Sequence, residues 1–234
     1  MNHPLFQPIR YPALCLLGAF ASLSPVKAES QAGRTASLRI LCVTVLPGIE
    51  EHVLGSANED GELEEHGTVS LRSSFITEWL EIPKGDLQLC VREDGKLIPK
   101  CDFNYPKTSS HALLLLLPGE DEGQYMARVI DTTGQAFRKG EIMVINSSEK
   151  PVEVTLGEKR VEAKAGEHSV HKPTAAENGM FRRLVAYTDE SGATVTVDDR
   201  YIQYDQTSRE FLILIADPKA GIRVISMPHF GVFE

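Results

Sequence analysis

Residues able to do chemistry are few and poorly grouped in this 234-residue chain. Glu167-His168-Ser-Val-His171 comes nearest to a metal-ligating element. Residues three apart on a strand point to opposite faces, so the two imidazoles read as surface groups on a hairpin rather than ligands of one ion. The segment from Glu50 to Glu65 carries seven carboxylates: Glu50, Glu51, Glu59, Asp60, Glu62, Glu64 and Glu65. Calcium takes about six to eight oxygens, but Asn58-Glu59-Asp60-Gly61-Glu62 lacks the alternating Asp/Asn spacing of an EF-hand loop, which favours a solvated acidic loop or strand edge. Asp198-Asp199 offers a carboxylate pair, yet successive strand residues face apart, which suggests a bulge or turn instead of acid–base work. The sequence contains no Gly-x-Ser-x-Gly elbow, phosphate-binding Gly-rich loop, dinucleotide fingerprint or His-Glu-x-x-His, so neither a catalytic residue nor a cofactor is assigned.

Beyond a leader described below, three cysteines remain: Cys42, Cys90 and Cys101. Thiols tend to pair outside the cytoplasm. Cys90 and Cys101 flank Asp94-Gly95, a strong hairpin-turn dipeptide. A two-residue turn there sets Cys90 opposite Pro99; a four-residue loop at 94–97 sets it opposite Cys101, within bridging reach. The expectation is a Cys90–Cys101 disulfide with Cys42 buried as a small hydrophobe, the other reading being three reduced core residues.

Aromatic side chains give the one hint of a binding face. If Ser74 to Ile82 is a continuous strand, Phe75 and Trp79 share one side while Ile76, Leu80 and Ile82 occupy the other. Phe75 and Trp79 would then line an outer surface suited to a sugar ring or a partner protein; the competing reading is a strand buried on both sides or lying between domains.

The compartment is read from the first 28 residues. Arg10 precedes a 13-residue apolar or small stretch, Tyr11 to Leu23, followed by Ser24-Pro25 and the small-residue site Val26-Lys27-Ala28. This is the layout of a cleavable signal peptide, and the run is shorter than the roughly 20 residues that span hydrocarbon. Cleavage removes Arg10 and Lys27 and no carboxylate, leaving 22 basic against 33 acidic side chains, a net charge of −11. That acidity argues against nucleic-acid partners and anionic lipid. No later stretch is long enough to be a transmembrane segment, the most apolar being Ala112 to Leu117. A periplasmic or extracellular location follows.

The elements that must position these residues read as strands. Val152, Val154 and Leu156 alternate with Glu153 and Thr155, the pattern of a half-buried strand. Phe211 to Ala216 is apolar on both parities, as is most of Leu38 to Val45, which only Arg39 and Thr44 interrupt; such strands are covered on both faces. Turn dipeptides recur at short intervals and no amphipathic helix of three turns is present, so the fold class is all-β. Two phrases recur: Glu81 to Leu89 matches Glu162 to Val170, and Ser110 to Pro118 matches Ser208 to Pro218, at offsets of 81 and 98 residues. A duplication is the economical explanation, with a β-sandwich at 35–120, a second at 138–228, and the boundary between Gly119 and Gly140.

At the start of the second copy, Gly140-Glu-Ile-Met-Val-Ile-Asn146-Ser-Ser-Glu-Lys-Pro-Val-Glu-Val154 resembles the opening hairpin of immunoglobulin-like sandwiches in exported bacterial proteins. There a strand ends in Asn-x-Ser and the next begins Pro-Val-x-Val. The phrase is also similar to the first hairpin of pilus-chaperone-like domains. The mature chain as a whole resembles uncharacterised secreted proteins of environmental bacteria, a likeness that implies no activity. Together these imply two tandem immunoglobulin-like β-sandwich domains after a signal peptide. The function expected is a non-catalytic cell-envelope or secreted module that binds or scaffolds another macromolecule, an envelope protein or a glycan. The second expectation is a small-ligand or carbohydrate-binding protein using the Phe75/Trp79 face, and the third a metal-assisted hydrolase. Asn146-Ser147-Ser148 also has the form of a glycosylation acceptor.

Overall fold

A strand that is apolar at every residue needs cover on both faces, whereas one that is apolar at alternate residues needs it on one. The computed structural model follows that rule into four sheets. It describes residues 35–49, 51–58, 61–175 and 178–229; the leader at 1–28, Glu50, Glu59 and Asp60 lie outside the described residues. There is no helix among the described residues, and so none long and apolar enough to cross a membrane.

The first inner sheet contains β1 (Thr35–Cys42), β4 (Phe75–Ile76), β5 (Leu80–Pro83), β8 (His111–Pro118) and β9 (Tyr125–Asp131). β1 and β8 run parallel at its centre, with β4 and β5 beyond β1 and β9 beyond β8. The first outer sheet is β3 (Leu63–Val69), β2 (His52–Ala57), β6 (Gly85–Glu93) and β7 (Lys96–Tyr105), in that order. The second inner sheet runs β13 (His168–His171), β10 (Ile142–Ser147), β16 (Arg209–Asp217) and β17 (Gly221–His229). Here too the central strands, β10 and β16, are parallel. The second outer sheet runs β12 (Lys159–Ala163), β11 (Val152–Leu156), β14 (Met180–Thr188) and β15 (Thr194–Gln203). The strand order of the second pair of sheets thus matches that of the first, with β13 in the place of β5 and β16 in that of β8.

Three apolar clusters hold the layers together. Leu38 and Ile40 of β1 and Leu114 and Leu116 of β8 pack with Leu54, Leu87 and Leu89 of the first outer sheet. Val144, Leu212 and Leu214 pack with Val152, Val154 and Phe181 of the second outer sheet. The opposite parity, Leu41, Leu113 and Leu115 from one inner sheet and Met143, Phe211 and Ile213 from the other, forms a third core in which the inner sheets meet. β8 and β16 are therefore covered on both faces, and the half-buried alternation of β11 fits an outer sheet. Fully burying each such side chain favours folding by about 1.5–3 kcal/mol. The described residues belong to one compact unit, 33–234.

Of the recurring phrases, Ser110–Pro118 and Ser208–Pro218 fall on the corresponding strands β8 and β16. The other pair does not correspond: Gly85 leads from β5 into β6, whereas Gly166 leads from β12 towards β13. An acidic glycine turn before a strand is generic β-chemistry, and its recurrence marks no equivalent position.

The Asp94-Gly95 turn is the tighter of the two geometries. Both residues have positive φ (49° and 78°) and Glu93 pairs with Lys96, as a two-residue primed turn requires. Cys90 consequently faces Pro99, and Cys101 faces Leu89 across a register shift. The disulfide expectation needed the longer loop; Cys42, Cys90 and Cys101 are all free thiols. Burial raises all three, and with help from the Asp102 charge it pushes Cys101 up to about 12.

Asn146 closes the turn after β10. Fully buried, it donates through Nδ2 to the carbonyls of Lys150 and Ala163, both at 2.8 Å, and its Oδ1 accepts from Ser148 N (3.0 Å) and Oγ (2.7 Å). With both amide hydrogens engaged inside the sandwich, it is a structural clamp and not an exposed glycan acceptor.

Candidate functional site

The strand expected at Ser74–Ile82 is broken at residues 77–79. Thr77 N donates to Ile40 O, and Thr77 Oγ1 accepts from Ile40 N, each at 2.9 Å, so a side chain replaces one rung of the ladder. That irregularity inverts the side-chain parity. Ile76 packs in the core between the inner sheets, whereas Leu80 and Ile82 pack in the first sandwich core. Phe75 pairs with Cys42, a residue of the first sandwich core, and is 64% exposed. Trp79 lies on the other face, over Arg39, with the guanidinium carbon 4.5 Å from the ring centroid. The structure therefore does not bring Phe75 and Trp79 onto one surface.

It brings Trp79 to a cavity of about 720 Å3 at one end of the seam between the inner sheets, together with His111, Asp131, Thr132, Arg138 and Arg209. His111 opens β8, Arg209 opens β16, and the 132–141 connection between β9 and β10 forms the rim. Asp131 Oδ1 starts that connection by accepting from Ser109 Oγ (3.0 Å) and Thr133 N (2.9 Å). Thr133 O then accepts from Ala136 N and Phe137 N, which folds Phe137 inward, fully buried, and leaves Arg138 and Lys139 exposed.

Behind the cavity the aromatic and cationic side chains are layered. Trp79 meets His111 and His229 edge-on, at 5.2 and 6.1 Å between centroids. His229 packs on Phe211 (4.9 Å) and is stacked with Phe137 (6.2 Å). Arg209 Nη1 donates to the carbonyls of Thr132 (2.9 Å) and Phe137 (2.8 Å), and its guanidinium lies over the Phe137 ring. Burial lowers the pKa of Arg209, and the neighbouring Arg39 charge lowers it further. Burial, with Arg209, Arg39 and His111 adding to it, holds His229 near 3 and hence neutral. Trp79 Nε1, Thr132 Oγ1 and both ring nitrogens of His229 are buried and find no hydrogen-bond partner among the described residues.

Chemically this arrangement offers an aromatic ring, hydroxyls and fixed cations. Ser110 Oγ lies 2.9 Å from His111 Nδ1, a nucleophile–base distance. Asp131, however, is turned to Ser109 and Thr133 and does not orient that imidazole as a catalytic triad demands. A second cavity, also about 720 Å3, lies at the opposite ends of β8 and β16, lined by Val43, Leu117, Met126, Ile215 and others; its lining has no tryptophan or histidine.

The remaining sequence candidates are engaged separately. His168 Nδ1 meets Arg128 Nη2 (3.1 Å), while His171 Nε2 meets Ser169 Oγ (2.7 Å). No group of three or more His, Cys, Asp or Glu side chains placed to hold a metal occurs among the described residues. In the acidic segment, Glu65 pairs with Arg92 and Asn58 Oδ1 accepts from Glu62 N. Asp198 and Asp199 do face apart, beside a register shift in which Val185 pairs with Asp198 and Ala186 with Thr196. Asp199 takes a two-pronged contact from exposed Arg182. Asp198 turns inward to Arg183.

Arg39, Arg209 and His229 were not picked out as site residues from the sequence. One signal was available for Arg39, the charged residue inside the apolar run from Leu38 to Val43; Arg209 sits beside Glu210 at the start of its strand and carries no such signal. No protein-family profile and no curated protein sequence matches this chain.

Proposed function

We propose that the protein is an exported, non-catalytic binding module made of two tandem immunoglobulin-like β-sandwiches, and that it takes a glycan of its surroundings in the cavity at Trp79. The observation that carries this reading is the convergence of Trp79, His111, Thr132 and Arg209, from four distant parts of the chain, on one cavity of about 720 Å3. An aromatic ring packs against the C–H face of a sugar, and hydroxyls and cations at its edge fix the orientation. The matching strand order of the two sheet pairs supports the tandem reading. Export rests on the leader ending at Ala28.

Titration of the mature chain against a glycan panel tests the site. Trp79→Ala is expected to weaken binding at least about tenfold, or ~1.4 kcal/mol, with Phe75→Ala, on the opposite face, leaving it unchanged. A Trp79→Ala variant that keeps every binding signal overturns the proposal. N-terminal sequencing of the exported protein is expected to start at Glu29; an uncleaved chain retained in the cytoplasm overturns the export half.

A further inference from the structure

The core between the inner sheets is closed differently at its two ends. At the Trp79 end, the rings of Trp79, Phe137 and His229 gather over it. At the opposite end Val43, Leu117 and Ile215, all members of that core, line a cavity of about 720 Å3 with no aromatic side chain in its wall. Met126 of β9, 50% exposed, carries the apolar wall outwards. A cavity of that size suits a small ligand, and apolar walls with a few polar groups are the usual lining of such sites. Methionine contributes a flexible, polarisable surface that adapts to ligands of different shape.

The charged side chains around this cavity answer one another. Arg128 and Arg223 stand with Glu120, Glu149 and Asp217. Arg128 donates to Asn146 O (3.3 Å) and meets His168 Nδ1 (3.1 Å); burial lowers its pKa and the Glu167 charge raises it. Asp217, held low by the Ala220 and Lys219 amides, is lowered further by Arg223. A ligand of either charge would meet like charge on that rim, so the rim favours neither an anion nor a cation. Ser147 follows Met143 and Ile145 on the core-facing parity of β10. Its hydroxyl is buried with no partner among the described residues, and a hydroxyl can both donate and accept.

We propose that this cavity is a second binding site, independent of the glycan reading, and that it takes a small uncharged apolar molecule: an aliphatic chain or ring ending in a hydroxyl or carbonyl. Val43, Leu117, Met126 and Ile215 pack against its body, and Ser147 Oγ bonds its polar end. Removing apolar surface from water on both partners supplies the driving force.

Fluorescence titration of the full chain with N-phenyl-1-naphthylamine, an uncharged apolar dye, tests the site. Saturable binding of a single dye is expected, insensitive to salt. Decanol is expected to displace it at least about tenfold more readily than decanoate or decylammonium, which have the same chain with a charge. Met126→Glu should weaken dye binding by at least about tenfold without moving the thermal midpoint, and Met126→Leu should keep it. Absence of saturable dye binding overturns the proposal, as does a Met126→Glu variant that folds and binds the dye undiminished. Displacement by decanoate or decylammonium as readily as by decanol overturns the uncharged assignment, and that comparison needs no variant. A dye signal lost in Trp79→Ala and kept in Met126→Glu assigns the dye to the other cavity and overturns this one.

Discussion

Arg209 and Glu210 are neighbours on β16 and face two very different buried polar clusters. On the Glu210 side, Arg183 crosses the second sandwich from β14. Its Nε donates to Asp198 Oδ2 (2.6 Å) and its Nη1 to Glu210 Oε1 (2.9 Å) and Ser226 Oγ (3.0 Å), with Arg183 1% exposed. Asp198 also receives Arg200, and Ser226 Oγ donates to Glu210 Oε1. Donors and acceptors match across three strands besides that of Arg183. On the Arg209 side the neighbours include aromatic rings, carbonyl oxygens and another arginine, and several buried polar atoms have no partner among the described residues. Burying a charge is tolerable when its counter-charges and hydrogen bonds are supplied internally. The first cluster meets that condition and reads as structure. The second places Arg209 near Arg39, burial lowering the pKa of both, with the Glu78 charge acting on Arg39 in the opposite direction.

Substitutions that separate the two clusters should differ in kind as well as size. The largest effect is expected from Arg183→Met, which leaves buried Asp198 to the exposed Arg200 and Glu210 to Ser226, and should lower stability by about 3 kcal/mol in urea unfolding. Arg183→Met combined with Asp198→Leu and Glu210→Leu should recover most of that loss, because the unpaired charges rather than the missing arginine are responsible. A triple variant no more stable than the single one would refute the structural reading of this cluster.

Next in size is a pH effect belonging to the Arg209 side and to the first sandwich. Burial holds His229 near 3 and, with the Lys100 charge adding to it, His52 near 4. Both lie below the unfolded value of about 6.5, so between those limits the unfolded chain binds more protons than the folded one. Their contribution to stability is fully present above about pH 6.5 and declines as the pH falls, the loss being complete near pH 4 for His52 and near pH 3 for His229. Each should contribute a slope of about 1.4 kcal/mol per pH unit inside its window. Denaturant melts between pH 6.5 and 4.5 should show this slope, roughly halved in His229→Phe; an unchanged slope would mean that His229 is not held neutral.

Smaller effects sharpen the contrast between satisfied and unsatisfied polar groups. Ser226→Ala removes a partner of both Arg183 and Glu210 and should cost about 1–3 kcal/mol. Thr132→Val replaces a hydroxyl that has no partner among the described residues with an isostere, and should leave stability unchanged or raise it by up to about 1 kcal/mol. A large loss in Thr132→Val would show that its hydroxyl is engaged. Smallest of all, Arg182→Ala breaks the exposed pair with Asp199 on the outer face of the same strand that carries Arg183. Water and salt screen that contact, so the thermal midpoint should not move.

How much of this was legible beforehand follows from the range over which each signal acts. β8 and β16 announce burial on both faces because every residue from Ala112 to Leu117 and from Phe211 to Ile215 is apolar; that periodicity is local and survives any tertiary arrangement. The hairpin at Asp94-Gly95 and the lack of helices are legible for the same reason, being fixed within a few residues of chain, although the choice between a two-residue and a four-residue loop was not. The candidate site was legible in one member, Trp79, and its proposed companion Phe75 ended on the opposite face. A single irregularity at Thr77 inverts the side-chain parity of everything beyond it, and nothing in the residues 74–82 reveals that Ile40 N will donate to a side-chain oxygen in place of a backbone carbonyl. The cavity gathers residues 79, 111, 132 and 209, with 39 and 229 packed against Trp79, and Arg183 meets partners at 198, 210 and 226. Sequence by itself determined that the strands at 38–45 and 211–216 are covered on both faces and that the strand at 152–156 is covered on one, because hydrophobic periodicity is written residue by residue. Tertiary structure alone decided which charges share a buried space, because strand pairing brings distant segments together and only then gives a lone arginine its partners.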